Sequence, residues 1–284
     1  MTYKQWYQLY LKLYKRKLAE KTRESYTRIN SLIEPIIGDK VLETITPDDI
    51  QQVLITVEDI TGSRQAQIAY ALVHAVFCRA VRSHHLQTSP VDAIDRPAHT
   101  ARTGRVLEEA DWNKLRPVIN ASVAYALMVY AGLRRGEVLA LQRADIDLNS
   151  EVIHITKQRL RVGGKVITSK PKSTAGIRDV PITPELQAVL ADSTRYMLPS
   201  ALLVPIAPET LDHHWRRDQI AVGINQPYRM HDLRHTYATR LTLDGLPPRV
   251  LQYVLGHASY TLTAKTYTHI TAISAKAEFS KLYQ

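Results

Sequence analysis

Residues 95–105 read DRPAHTARTGR: one proline, one glycine, two threonines, three arginines and almost nothing that a core would take in. A stretch of this composition reads as an exposed linker. It divides the 284 residues into two lengths, 1–94 and 106–284, each of which must build a core of its own. The 45% hydrophobic content is enough for that and argues against wholesale disorder.

The first length is patterned for helices. Tyr3, Trp6, Tyr7, Tyr10, Leu13 and Tyr14 recur at helical spacing with lysines between them, and this aromatic stripe reads as core. A second helix places Tyr26, Ile29, Leu32 and Ile33 on one face and is expected to stop near Pro35 and Gly38. A third starts with Thr46 as N-cap, Pro47 in the first turn, and acids behind it. A fourth, with Ser63 as its expected cap, turns Ala69, Leu72, Val73, Val76 and Ala80 one way. The prediction is a bundle of four or five helices ending near Pro90.

The second length is mixed. LEEADWNKL opens it and an apolar helix is expected through SVAYALMVYAGLRRGEVLAL, residues 122–141. EVIHIT alternates as a strand does, and KVITSK and IRDVPI look like the strands of a hairpin with Lys170 and Lys172 at its tip. After Pro184 the pattern is helical to the end.

The charge is uneven. Lys and Arg number 37 against 27 Asp and Glu, a net of +10. Residues 1–28 carry eight cations against Glu20 and Glu24, a local net of +6. Such a patch points to a polyanion, with nucleic acid the commonest. Lys15, Arg16, Lys17 and Arg23 in this segment, with Arg96, Arg102 and Arg105 of the linker, are the expected DNA-binding cations. A single cysteine, Cys78, excludes an internal disulfide and a multi-cysteine zinc site. The N-terminus lacks the apolar stretch of a secretory signal, and no run of about 18 apolar residues occurs. A cytoplasmic, nucleoid-associated location with no membrane is the expectation.

HDLRHTYATRL, residues 231–241, admits three readings. His231 and His235 share a helix face and could hold zinc, but Asp232 stands where a metalloprotease has Glu, and Arg234 and Arg240 on the same helix would repel a dication. His231 and Arg234 are also helix neighbours, and imidazole with guanidinium suits a phosphate. The third reading is a capping histidine beside a surface arginine. AGLRRGEVLAL, residues 131–141, puts Arg134 or Arg135 at an interior edge, where Glu137 or a bound phosphate would be its anion. Near the end of the chain Gly256 closes a helix before His257, and Tyr267 lies among threonines on a segment with little to bury.

Together these residues resemble the tyrosine recombinases, the phage-integrase family of site-specific DNA recombinases. Gly132, Arg134 and Glu137 match the family's Gly-x-Arg-x-x-Glu box, Lys172 its hairpin lysine before an x-Arg-x-Val-Pro strand, and His231 and Arg234 its His-x-x-Arg box. The Leu-Gly-His segment falls at 255–257 and the nucleophile at Tyr267. The resemblance implies a mainly α fold with a small antiparallel β-sheet: a helical core-DNA-binding domain over 1–94, a basic linker over 95–105 and a mixed α/β catalytic domain over 106–284. No room is seen before the first helix for the arm-binding domain of many integrases. That implies a two-domain recombinase or a chain without that domain.

It also implies a chemistry. Tyr267 attacks a DNA phosphodiester to give a 3′-phosphotyrosyl bond and a free 5′-hydroxyl. Arg134, Arg234 and His257 hold the phosphate oxygens, Glu137 supports, Lys172 protonates the leaving oxygen, and His231 serves the phenol as base or hydrogen-bond partner. The implied partners are duplex DNA with inverted core sites, three further copies in a tetramer on that DNA, and accessory DNA-bending or directionality proteins. No metal or other cofactor is expected. The competing expectations are a non-enzymatic helix-turn-helix regulator, reading DNA with the segment around Gly256 and Tyr267, and a metal-dependent enzyme built on His231 and His235.

Overall fold

The computed structural model describes residues 1–100, 104–171 and 173–257. The chain divides into two compact units, Met1–Arg102 and Thr103–Gln284, each with its own hydrophobic core.

The first unit is four helices: α1 (Tyr3–Tyr14), α2 (Glu20–Ile37), α3 (Pro47–Thr61) and α4 (Ser63–Arg82), followed by a short 3-10 turn at Pro90–Ala93. Thr2 caps α1 in a reciprocal pair with Gln5, and Thr46 caps α3 with Asp49, so two orphan N-terminal amides are met at each start. The aromatic stripe is core at Tyr3, Trp6, Tyr7 and Tyr10, but Leu13 and Tyr14 in the last turn of α1 are exposed. The buried polar tips are satisfied: Trp6 Nε1 donates to the Val76 carbonyl at 3.0 Å and the Tyr3 hydroxyl to Asn30 Oδ1 at 3.2 Å. α2 ends where expected, at Ile37 with Gly38 as its C-cap, and one cap expectation shifts. Pro35 lies inside the last turn of α2, where it removes one ladder bond without stopping the helix before Ile37. Gly62, not Ser63, is the N-cap of α4; its φ of +87° is a conformation that suits glycine.

The second unit runs α5 (Glu109–Asn120), α6 (Val123–Tyr130), α7 (Arg135–Val138), β1 (Ile146–Asp147), β2 (Val152–Ile155), β3 (Gln158–Val162), β4 (Lys165–Ser169), β5 (Arg178–Pro181), α8 (Pro184–Thr194), α9 (Pro208–Ala221), α10 (Met230–Leu243) and α11 (Pro248–Leu255). The expected long apolar helix over 122–141 is two helices. The seven residues from Ala124 to Tyr130 are all buried, which makes α6 the centre of this core, and the chain breaks at Gly132, φ +63°, before α7.

The sheet also differs from expectation. KVITSK and IRDVPI do not pair with each other. β4 pairs with β3 around Gly163–Gly164, both at positive φ, while β5 joins β1 and β2 in a three-stranded antiparallel sheet of order β1-β2-β5. Lys170 therefore follows the base of the β3–β4 hairpin instead of crowning it.

The described parts of 95–105 are not free-running. The Pro97 carbonyl accepts from Gln67 Nε2 at 2.8 Å, and His99 Nδ1 pairs with Ser63 Oγ at 3.0 Å, both on α4. Arg105 is tied to the second unit: its backbone N–H donates to Asp232 Oδ1, its Nη1 to the Gln226 carbonyl, and its guanidinium lies 4.1 Å from the Tyr228 ring centroid. Among the described residues, no helix is long and apolar enough to cross a membrane.

Candidate active site

The turn after α6 builds the first part of the site. Gly132 must be glycine: its φ is positive, and a Cβ there would collide with the Tyr237 ring. The turn delivers Arg134 to the start of α7, where Glu137 folds back on it. Glu137 accepts from the Arg134 backbone N–H at 2.8 Å and from Arg134 Nη1 at 2.8 Å. It also accepts from both terminal nitrogens of Arg178, on β5, at 3.0 Å each. Burial works to raise the Glu137 pKa, but the bonds and charges of Arg178 and Arg134 outweigh it and hold the carboxyl at about 2.

The C-terminus of α11 builds the second part. A helix end leaves carbonyls without intrahelical partners and favours cations nearby. Here three successive carbonyls are taken by three arginines. Arg178 Nε donates to Val254 at 2.6 Å, Arg234 Nη2 to Leu255 at 2.5 Å, and Arg134 Nη2 to Gly256 at 2.8 Å. Arg234 Nη1 also donates to the Gly132 carbonyl at 2.5 Å, which ties α10 to the turn before Arg134. Gly256 is left-handed, and a Cβ there would meet the Ala175 carbonyl at 2.8 Å and Arg178 Nη1 at 3.0 Å. His257 follows at once and is buried.

Helix α10 supplies His231 and Arg234, and Arg234 is 2% exposed, so its charge is committed to the interior. Asp232 is spent on the helix start, accepting from the Arg229 N–H at 2.8 Å. The His231 and His235 rings meet edge to face with centroids 5.0 Å apart. Gly104 lies against His235, where a Cβ would overlap the ring. His231 is lowered to about 4 by burial first, then by His235, Arg234 and Arg134. His257 is lowered to about 4 by burial, then by Arg234, Arg134 and Arg178. At neutral pH both imidazoles are uncharged.

Among the described residues, no third ligand joins His231 and His235; the one group that could hold a metal is His74, Cys78 and Asp92 in the first unit. Its sulphur lies 3.8 and 3.6 Å from the two nitrogens of the His74 ring. A metal shared by that sulphur and one nitrogen would leave the other nitrogen much farther away.

The structure thus brings Arg134, Glu137, His231, Arg234 and His257 together. Lys172, Tyr267 and Arg102 lie outside the described residues. Arg135, whose share in the role of Arg134 the sequence left open, turns to Asp212 on α9 and lines a cavity of about 680 Å³ with His231 and Trp215. His257 lines another, of about 870 Å³, with Ala175, Ile177 and Tyr253. Of the expected DNA-binding residues, Arg16, Lys17, Arg23 and Arg96 are exposed on the first unit, and Lys15 is half-buried over the Tyr10 ring. Sequence reasoning missed Arg178, using its strand only as a landmark for Lys172. The signal was there: in IRDVPI, Arg178 shares the phase of Val180 and Ile182 and so faces inward.

Comparison with known proteins follows the same lines. The description "Phage integrase family" matches residues 107–273, and "Phage integrase, N-terminal SAM-like domain" matches residues 2–56. The chain is 28% identical over 264 residues to a putative prophage phiRv2 integrase of Mycobacterium tuberculosis, covering 87% of this chain and 69% of the relative. Its fold is similar to that of the Tn1549 transposon integrase in complex with transposon right end DNA, with a TM-score of 0.84 over all of both chains at 21% identity. It is also similar to lambda integrase, in a tetramer bound to a Holliday junction, with a TM-score of 0.69 over 92% of this chain and 79% of that one at 21% identity.

Proposed function

The chain belongs to the phage integrase family and is a tyrosine site-specific recombinase; from that premise we propose that it cuts and rejoins duplex DNA at inverted core sites with Tyr267 as nucleophile. The observation that carries this reading is the convergence of Arg134 and Arg234 on adjacent carbonyls, with His231 and His257 neutral beside them.

The scissile phosphate sits against the two guanidiniums, which hold its non-bridging oxygens as charge builds on them. His257 donates an N–H to the same oxygens. A free phenol is ionised in only about one molecule in a thousand at neutral pH. His231, neutral, accepts the Tyr267 proton as the phenolic oxygen bonds to phosphorus. The bond from phosphorus to the 5′-oxygen breaks, and Lys172 protonates that oxygen. The phosphotyrosyl bond conserves the energy of the diester, so a 5′-hydroxyl from a second duplex reverses the step. None of these steps draws on a metal or an organic cofactor.

Strand exchange between two duplexes cut on both strands requires four nucleophiles, and the tetramer of lambda integrase on a Holliday junction supports a tetramer here. The core-DNA-binding role falls to residues 1–94 with Lys15, Arg16, Lys17 and Arg23. The linker over 95–105 adds Arg96, Arg102 and Arg105, and the catalytic domain spans 106–284. Accessory DNA-bending or directionality proteins complete the partners, and the site of action is the cytoplasmic nucleoid. The alternative of a non-enzymatic regulator is not favoured, since nothing in DNA reading requires buried arginines around a helix end.

A nicked suicide duplex traps the covalent adduct. The wild-type protein forms it in EDTA, and Tyr267→Phe does not. An adduct on the Phe variant removes Tyr267 from its role, and loss of the wild-type adduct in EDTA revives a metal.

A further inference from the structure

Arg178 is an enclosed charge, with a side chain 0% exposed. A buried cation of this kind is weak support for stability, because apolar residues of the same volume often serve a fold as well or better. What it touches suggests another reason for its presence. Two of its nitrogens grip Glu137, the anchor of Arg134. Its Nε grips the Val254 carbonyl, one residue before the carbonyls that hold Arg234 and Arg134. Its Nη1 reaches the Gly176 carbonyl at 3.1 Å, so the turn before β5 is fixed to the same point.

The charges can be counted. Glu137 with Arg134 alone would be a neutral pair, and a neutral pair has little attraction for a phosphate. Glu137 between Arg134 and Arg178 is one anion with two cations, which leaves one positive charge at the site. The enclosed cation is Arg178, and the Arg134 side chain is 35% exposed. We propose that Arg178 is a positioning residue of the recombination site: its charge offsets that of Glu137, so that Arg134 keeps both its anchor and a net positive charge for the DNA phosphate, and it sets the α11 terminus from which Arg134, Arg234 and His257 take their places. This rests on the reading of Arg134 as a phosphate-holding residue.

The role has a pH signature. Glu137 is faced by Arg178 from β5 and by Arg134 from its own turn. Arg159 of β3 caps the end of α7 through the Leu139 carbonyl. Tyr237 of α10 and His257 after α11 lie within the field of Arg178, and Arg234 of α10 acts on both. Removing Arg178 leaves burial opposed by Arg134 alone, so the Glu137 pKa rises. As pH falls through the raised value the carboxylate is protonated and Arg134 loses its anchor. Cleavage then falls at a higher pH than in the wild type, whose own acid limb belongs to His231, the proton acceptor.

The experiment uses the full chain and a nicked suicide duplex carrying its core site. Single-turnover adduct formation is followed from acidic to neutral pH, beside DNA affinity and thermal melting. For Arg178→Ala the expected rate is ~10- to 100-fold below wild type, with an acid limb raised by ~1 pH unit or more and affinity within ~2-fold. Arg178→Lys restores the charge without the fork, so its limb returns to the wild-type position and part of the rate recovers. A folded Arg178→Ala with wild-type rate and limb overturns the proposal. So does one that loses affinity and rate together with the limb unmoved, the mark of a merely structural residue. If the Ala variant does not fold, Arg178→Gln takes its place with the same outcomes. The reading of Arg134 fails separately: Arg134→Lys then forms adduct at the wild-type rate.

Discussion

Burial first holds His231 and His257 each near pKa 4, followed by His235, Arg234 and Arg134 for His231 and by Arg234, Arg134 and Arg178 for His257, with His235 lowered beside them. The consequence for stability has a definite sign. A histidine whose folded pKa is depressed is neutral in the fold and charged in the unfolded chain between the two values. The unfolded state then binds more protons, so stability is full above the ordinary histidine pKa of about 6.5 and falls as pH drops toward about 4. We expect the free energy of unfolding of the catalytic unit to decline across that window, with an uptake of up to three protons, one each from His231, His235 and His257. Denaturant titrations at several pH values measure it, and a flat profile contradicts these histidines being neutral. At this scale the sequence was legible where partners are close. Arg134 with Glu137 and His231 with Arg234 are three apart, a spacing that any helix end brings together. Arg178 was not, because Glu137 lies 41 residues away in sequence and Val254 lies 76.

Helix α11 is eight residues long, yet its C-terminus receives the three arginines. Gly256 makes that possible by turning left-handed with room for neither a Cβ nor a displaced Arg178. Gly256→Ala is therefore expected to cost about 1–3 kcal/mol of stability through strain alone. Cleavage is expected to fall further than folding, because the carbonyls that register Arg134 and Arg234 move with residue 256. Melting and suicide-substrate cleavage on the same variant measure both, and wild-type cleavage in a destabilised Gly256→Ala rules out the terminus as the datum of the site. The elements were read unevenly for a physical reason. Amphipathic helices such as α1 and α3 carry phase and caps in a short window. Helix α6 is apolar on every side, so periodicity has no face to lose at Gly132. KVITSK and IRDVPI alternate correctly, but alternation names a face and not a partner, so the pairing of β4 with β3 and of β5 with β2 was out of reach.

Each unit closes its own core, and the proposed DNA attraction and DNA chemistry fall on separate sets of side chains. The proposed chemistry lies with buried arginines of the second unit. The expected attraction lies with the exposed cations of the first, which carry no packing duty: Arg16, Lys17 and Arg23 are exposed, and the one bond between them runs from Arg23 Nη2 to the Arg16 carbonyl at 3.4 Å. That separation predicts separable effects. Replacing Lys15, Arg16 and Lys17 together by Gln takes away up to three cations that neutralise DNA phosphates. The slope of log affinity against log salt should then flatten by about 0.9 for each phosphate no longer neutralised. Binding weakens most at low salt, and the adduct rate at saturating DNA stays at the wild-type value. Titrations over a range of salt, paired with single-turnover cleavage, test both halves. An unchanged slope takes these cations off the DNA, and a fall in the saturated rate means that the first unit also shapes the chemistry of the second.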